Sequence, residues 1–255
     1  MKRISLIGMG AGSPDHLTLQ AVKAIRAADV VFLLEKAGKD GLAALRREIL
    51  GTVRPEGGYR LVTAPSPERG VGPATTTGYA EGVEAWRRGR GAAIGALIES
   101  ELAEGEAGAF LVWGDPCLYD GMITTLNELN DAGAGVAFEV IPGVTSIQAL
   151  TAAHRIPLNR VGESVTITTA RLLEAAAPES VSNHVVMLDG RAAFAALADQ
   201  PLDVYWGAYL GTPDETLLSG PIETVAGAVE EALARGRAEH GWIMDTYLLR
   251  RRRRD

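Results

Sequence analysis

The sequence predicts an α/β protein made of two α/β domains, and three observations carry that expectation. Short apolar runs of strand length alternate with segments whose apolar residues recur at helical spacing. Turns rich in glycine and proline follow several of those runs, as at 8–12, 114–116 and 142–143. A polar stretch at 154–164, HRIPLNRVGES, holds Pro157 and Gly162 and interrupts the alternation, which then resumes. It sets the expected boundary, with residues 1–158 forming the N-terminal domain and 159–255 the C-terminal one.

Residues 4–8 read as a buried strand, followed by a glycine-rich turn and a helix from Thr18 that sets Leu19, Val22 and Ile25 on one face. A second strand at 30–34 is bounded by Asp29 before it and by Glu35 and Lys36 after it. Residues 40–50 read as helix and 60–62 as a short strand. The stretch 63–77, rich in Pro, Gly, Ser and Thr, reads as a long loop of the kind that often carries function. Ile94, Leu97, Ile98 and Leu102 predict a helix over 92–103. Strands at 109–113 and 136–141 each run straight into a turn, with helices at 123–132 and 146–153. Beyond the boundary, strands are expected at 165–168, 184–188, 204–210 and 215–218, with a helix at 191–198. Ile222, Val225, Ala226, Val229 and Leu233 line a further helix, and 242–249 is the last strand. Such alternation favours sheets that are largely parallel and covered on both faces.

Composition narrows the function classes. With 47% hydrophobic and 22% charged residues, the chain of 255 has the means for a real core and is not of the disordered class. No apolar run approaches the roughly 18 residues of a membrane span, and only Lys2 and Arg3 precede the first strand, so neither membrane span nor signal peptide is expected and the cytoplasm is the expected compartment. A formal charge of −7 argues against general nucleic-acid binding. The five arginines at 250–254 read either as a solvated terminus or as a contact for an anionic partner. A single cysteine, Cys117, excludes a disulfide framework and a Cys-based zinc cage. The four histidines, His16, His154, His184 and His240, show no ligand spacing, so no metal is expected.

Three turns are candidates for chemistry. GMGAG at 8–12 suggests a dinucleotide fingerprint but fits it poorly. Its third glycine comes two residues after the second instead of three, and Ser13-Pro14 delays the helix. The acid that should bind a ribose is not clean either, Asp29 preceding the second strand and Glu35 following it. In GDP at 114–116, Asp115 offers either a turn cap or a carboxylate for a cationic group. In PGVTS at 142–146, Thr145 or Ser146 reads as a helix cap or as a ligand for polar atoms. All three sit at the carboxyl ends of strands, where open α/β sheets bind ligands.

The order and spacing of these turns resemble the cobalamin-type tetrapyrrole methylases. That family shows a GxGxG turn followed by an LT helix start, here Gly8 to Gly12 and Leu17-Thr18, then GDPxxY, here ending at Tyr119, then PGxTS. ITTARLL, VVMLDGR, DVYWGAYLGTPDE and GWIMDTYLLRRR in the second half resemble a deacylating branch of the same family. The resemblance implies S-adenosylmethionine as cofactor, in a cleft between the two domains, and a small-molecule tetrapyrrole as substrate. It implies methylation of precorrin-5 at ring carbon 1 with loss of acetate, and a homodimer. Carried over by motif, the cofactor contacts are Trp113, Gly114, Asp115, Leu118, Thr145, Ser146, Met187 and Gly211; Met187 also has a plain reading as core filler. Gly10 and Gly12 would face the substrate, whose acidic arms would meet Arg155 and Arg160, with Arg171 and Lys36 behind them. Many relatives carry Asp after the third glycine, where this chain has Ser13 with Asp15 two residues on. For the deacylation the candidates are Asp15, His16, Tyr119 and Asp120.

Competing expectations are another methylase of the family, a nicotinamide oxidoreductase built on 8–12, and a non-catalytic carrier of corrinoid intermediates. The second-half runs argue against the first, glycine spacing against the second and the intact turns against the third.

Overall fold

The computed structural model describes residues 1–35, 40–66 and 76–252. It divides into two compact units, one of residues 1–10 and 14–144, the other of residues 11–13 and 145–255.

The first unit is a five-stranded sheet, all parallel, in the order β3-β2-β4-β1-β5. Its strands are β1 (Arg3–Gly8), β2 (Val30–Glu35), β3 (Arg60–Pro65), β4 (Ala107–Val112) and β5 (Ala137–Ile141). Helices α1 (Leu19–Ala27), α2 (Asp40–Val53), α3 (Thr76–Glu101) and α4 (Met122–Asp131) cover it. The central strands are apolar at consecutive positions because they are buried on both faces. Ile7, Val31, Leu33, Ala109 and Leu111 pack with Ala21 and Ile25 of α1 and Ile49 and Leu50 of α2. Ile4, Leu6, Val30, Phe32 and Phe110 point the other way, against Ile94 and Ile98 of α3 and Met122 and Leu126 of α4.

Three details differ from the sequence reading. Leu19 is 80% exposed; Ala21 and Ile25 carry the buried face of α1, whose Thr18 cap accepts from the Ala21 N–H. Helix α3 begins at Thr76 rather than at 92, because Gly89, Gly91 and the arginines 87, 88 and 90 hide its period. Strand β3 runs on to Pro65, into the stretch read as loop. The rest of that stretch from 67 to 75, with Lys36, Arg253 and Arg254, lies outside the described residues.

The second unit holds helix α5 (Ser146–His154), β6 (Thr166–Thr169), α6 (Ala170–Glu174), β7 (Asn183–Met187), β8 (Leu202–Ala208), β9 (Thr216–Pro221), α7 (Ile222–His240) and β10 (Asp245–Arg251). Its division from the first unit falls before α5, which packs on β8 and β10, whereas the sequence boundary falls after that helix. The sheet order is β6-β7-β10-β8-β9. Only β6 and β7 pair in parallel; β10 is antiparallel to both β7 and β8, and β8 to β9. The expectation of a largely parallel sheet fails in this unit for a topological reason. The link from β8 to β9 is too short for a crossover, so the chain must reverse, and α7 then returns β10 between β7 and β8. The helix expected at 191–198 is a 3-10 turn, Ala193–Leu197, and α6 is a short helix that the sequence pattern does not show. Trp206, Tyr247, Phe194 and Val229 centre the core.

Candidate active site

In the first unit the carboxyl ends of β4, β1 and β5 lie side by side, Ile7 pairing with both Leu111 and Ile141. The turns after them meet backbone to backbone. A Cβ on Gly143 would stand 2.1 Å from the carbonyl oxygen of Gly114 and 2.8 Å from Cα of Gly8, closer than any side-chain carbon fits. Gly114, at φ +65°, donates its N–H to Gly10 O at 2.9 Å and accepts from the Gly10 N–H at 3.3 Å. The GMGAG turn is therefore a brace for the GDP turn. Its polar backbone at Gly10 is committed to that role, and α1 opens only at Leu19, after a 3-10 turn at Pro14–His16. A dinucleotide pyrophosphate needs free N–H groups at a helix start. Here the Gly10 N–H is taken by Gly114, and no helix starts directly on the turn.

Asp115 resolves between its two sequence readings. One carboxylate oxygen accepts from the Gly143 N–H at 2.8 Å and the other from the Cys117 N–H at 2.7 Å. It ties the GDP turn to the PG turn. Trp113 is partly buried against the α1–α2 side of the core, and the Leu118 N–H donates to Asp115 O at 3.2 Å. Tyr119 is 48% exposed at φ +54°, and loss of solvent around its phenol pushes its pKa up. Asp120 accepts from the Met122 N–H at 2.7 Å, at the start of α4, whose N-cap is Gly121. Cys117 is exposed, with its thiol pKa raised by partial desolvation and by Asp115.

Two arginines join this cluster that the sequence reading missed. Arg46 of α2 donates through Nε to Leu111 O at 3.2 Å and through Nη1 to Leu42 O at 3.1 Å. Burial lowers its pKa, attraction to Asp120 acts against that, and repulsion from Arg90 adds to it. Arg90 of α3 lies over the Trp86 ring, 5.6 Å from its centroid, and its Nη1 would be 3.7 Å from a Cβ on Gly121. Both helices are remote in sequence from the glycine turns, so only the tertiary fold reveals the pair.

In the second unit, strand register gathers the other candidates at one sheet edge. Thr145 caps α5, accepting from the Ile147 N–H at 3.1 Å. Ser146 accepts from the Thr246 hydroxyl at 2.9 Å, and Thr246 pairs across the sheet with Met187 at the end of β7. The preceding residue of β10, Asp245, pairs with Ala208 at the end of β8, from which the chain turns through Tyr209, at φ +51°, into Gly211. The Gly211 N–H donates to Glu215 at 2.8 Å. Gly12 belongs with this turn: a Cβ there would meet Leu210 O at 2.7 Å and the Thr212 methyl at 2.6 Å. Beneath the edge, buried Asp245 accepts from Trp206 Nε1 at 3.0 Å and the Gly190 N–H at 2.9 Å. Burial still holds its pKa above the ordinary value.

Arg155 and Arg160 lie away from that edge. Arg155 is the left-handed cap at the C-terminus of α5, the opposite end from Ser146. Arg160 pairs with Glu163 at 3.6 Å and donates to the carbonyl of Arg251, at the far end of β10 from Thr246. Arg171 follows β6 on the Met187 edge. Arg250 and Arg251 of the basic tail complete β10, bonding carbonyls of 157–158 and 178–181. Among the described residues no group of three or more His, Cys, Asp or Glu is placed to hold a metal ion.

Residues 3–226 match the family described as Tetrapyrrole (Corrin/Porphyrin) Methylases. The chain is 44% identical over 253 residues to precorrin-6A synthase [deacetylating] of Sinorhizobium sp, covering 98% of this chain and 96% of that one. Among solved structures it resembles a cobalamin synthesis related protein, CobF, from Corynebacterium diphtheriae. The TM-score is 0.81 at 38% identity, over 98% of both chains. The fold also matches uroporphyrin-III C-methyl transferase from Thermus thermophilus, solved with S-adenosylhomocysteine, at TM-score 0.58 and 20% identity over 97% of each chain.

Proposed function

The chain belongs to the tetrapyrrole methylase family, and from that premise we propose that it methylates precorrin-5 at ring carbon 1 with release of acetate, giving precorrin-6A. The observation that carries the reading is the brace of Gly10 on Gly114 beside the Asp115–Gly143 tie. It supports a ligand at the backbone of the GDP and PG turns and takes the glycine-rich turn away from nucleotide binding.

S-adenosylmethionine supplies an already activated methyl group when bound. Its proposed contacts, carried over by motif, are Trp113, Gly114, Asp115, Leu118, Thr145, Ser146, Met187 and Gly211. These residues suit an amino-acid nucleoside. Neutral hydroxyls at the N-terminus of α5 suit its carboxylate, and Leu118 and Met187 offer apolar contact. Asp115 contributes by fixing the turn, since both its oxygens are engaged. Because the macrocycle is itself the carbon nucleophile, holding it in line provides much of the acceleration, on the order of 7–11 kcal/mol in favourable systems. Arg46 and Arg90 are better placed than Arg155 and Arg160 to receive the substrate's acidic arms beside the GDP turn. The proposal extends to a homodimer working in the cytoplasm, which rests on the family alone. Among the described residues no helix is long and apolar enough to cross a membrane.

The test is incubation with precorrin-5 and methyl-labelled S-adenosylmethionine, followed by mass spectrometry and acetate assay. One acetate per methyl transferred is expected, unchanged by chelator. Methylation without acetate would assign the chain to another branch, and binding without turnover would make it a carrier.

A further inference from the structure

A run of like charge at a chain end usually stays solvated. The arginines that end β10 do not: Arg250 is 5% exposed and Arg251 is half-buried. A cation drawn out of water is best offset by a carboxylate beside it. Among the described residues both are held by backbone carbonyls instead, Arg250 by those of Pro157 and Leu158, Arg251 by those of Pro178, Glu179 and Val181. Carbonyls satisfy the N–H groups and leave the full charge standing. Burial holds the pKa of Arg250 below its ordinary value and repulsion from Arg160 adds to this, with attraction to Glu163 and Asp203 acting against both.

Arg251 lines a cavity of about 400 Å³ in the second unit, with Arg160, Glu163, Ser164, Ser182 and Arg252 among the other walls. Three guanidiniums and one carboxylate line it, in a chain whose formal charge is −7. Arg160 pairs with that carboxylate, Glu163, at 3.6 Å, and Arg252 with Glu223 at 2.9 Å. The charge of Arg251 has no such partner among the described residues. The cavity sits where β7 begins and β10 ends, at the opposite end of β10 from Thr246 and the Met187 edge. Its walls are already tied to one another: the Arg251 N–H donates to Ser182 O at 2.7 Å, and Arg160 Nη1 donates to Arg251 O at 3.1 Å.

We propose that this cavity is a second ligand site, separate from the cofactor contacts, and that it takes the phosphoryl group of a small phosphate ester. Guanidinium forks match phosphate oxygens two at a time, and a dianion supplies the charge that Arg251 lacks. The hydroxyls of Ser164 and Ser182 serve the remaining oxygens. A volume of this size lies within the roughly 300–1,000 Å³ of small-molecule sites, and the phosphoryl group fills only part of it, so an organic remainder has room. A ligand held by Arg160 and Arg251 together clamps the linker at 158–164 onto the end of β10. Because it binds the folded chain alone, it raises the melting temperature in proportion to its occupancy.

Calorimetry on the full chain at fixed ionic strength tests this, with ribose 5-phosphate and inorganic phosphate as the two ligands. Ribose 5-phosphate should bind with a Kd of about 1 mM or lower, and more tightly than inorganic phosphate. Equal affinity for the two would keep the phosphoryl site and make free phosphate its occupant. Arg160→Gln and Arg251→Gln should each weaken binding roughly tenfold or more, and Arg160→Lys, which keeps the charge without the fork, should fall between parent and Arg160→Gln. Arg251→Gln also abandons three carbonyls, so Arg160→Gln carries the test should that variant not fold. The phosphorus NMR line of ribose 5-phosphate gives a second readout, shifting with the parent and not with Arg160→Gln. Arg90→Gln, in the first unit, should leave binding at the parental value. No saturable binding to the parent, or parental affinity in folded Arg160→Gln, would overturn the proposal. So would a loss in Arg90→Gln with none in Arg160→Gln, which would move the anion to the first unit.

Discussion

The carboxylate of Asp115 accepts from the backbone N–H of Gly143 at 2.8 Å, joining the turn after β4 to the turn after β5. Its second oxygen holds the Cys117 N–H. Asp115→Ala leaves both donors unmet and is expected to cost about 1–3 kcal/mol. It should also weaken S-adenosylhomocysteine binding, because the two turns lose their tie. Asp115→Asn keeps one acceptor and should lose less of each. Thermal melts and calorimetry check this; parental melting and binding in Asp115→Ala would make the tie incidental.

Gly143→Ala is expected to be worse than its size suggests. The new methyl would fall 2.1 Å from Gly114 O, and backbone rather than a flexible side chain is in the way. The turn must open, so cofactor affinity should drop at least about tenfold, a change of 1.4 kcal/mol. Gly51→Ala, whose Cβ meets nothing within 4 Å, serves as the control and should bind normally.

Thr246→Val separates the second-unit edge from the first-unit turns. It removes the hydroxyl that donates to Ser146 at 2.9 Å while keeping shape and strand propensity. A loss of cofactor affinity of about 0.5–1.5 kcal/mol, with little change in melting, is the expected calorimetric result. Unchanged affinity would place Ser146 outside the cofactor's reach.

The parts of this fold that sequence revealed are those set by local pattern. The central strands of the first unit are legible because burial on both faces writes a continuous apolar run, as in VVFLLE of β2. The turns at 8–12, 114–116 and 142–146 are legible because close backbone approach demands glycine. What pattern cannot show is pairing at a distance. Nothing in DTYLLRR says that β10 enters between β7 and β8, so the antiparallel sheet and the Met187–Thr246 pair were hidden. The same holds for Arg46 and Arg90, whose neighbourhood at Asp120 is made by helices α2 and α3. Linker position alone points to Arg155 and Arg160, whereas Arg155 is the αL cap at the end of α5 opposite Ser146.

Asp245 sets a pH dependence of stability. Burial raises its folded-state pKa above the ordinary value, and the bonds from Trp206 and Gly190 offset this only in part. The folded protein therefore holds the proton more tightly than the unfolded chain does. The resulting stabilisation is full below the unfolded value of about pH 4 and fades as pH rises through the raised folded value. Asp245→Asn does not titrate, and its amide nitrogen must face a donor on one side. The melting advantage of the parent over Asp245→Asn should accordingly be greatest at the acid end and shrink toward neutral pH. An advantage that grows with pH would mean that the two donors outweigh burial.

Substrate and cofactor binding should come apart at Arg90. Its guanidinium lies over Trp86 beside Gly121, and Arg46, with which it interacts, is anchored on the carbonyls of Leu111 and Leu42. Mutual repulsion between two cations beside Asp120 is relieved by an anionic ligand. The acetate and propionate arms of a tetrapyrrole provide one. Hydrogen bonds to charged groups contribute about 1.5–3 kcal/mol, so Arg90→Gln should raise KM for the tetrapyrrole roughly 10- to 100-fold while S-adenosylhomocysteine affinity stays at the parental value. Arg46→Gln should do the same with an added loss of stability, because it also abandons the carbonyls it bonds. Arg160→Gln, at the far end of β10 and paired with Glu163, should leave KM unchanged. Steady-state kinetics with calorimetry on the three variants decides between the sites: a KM raised by Arg160→Gln and not by Arg90→Gln would return the substrate's acidic arms to the linker arginines.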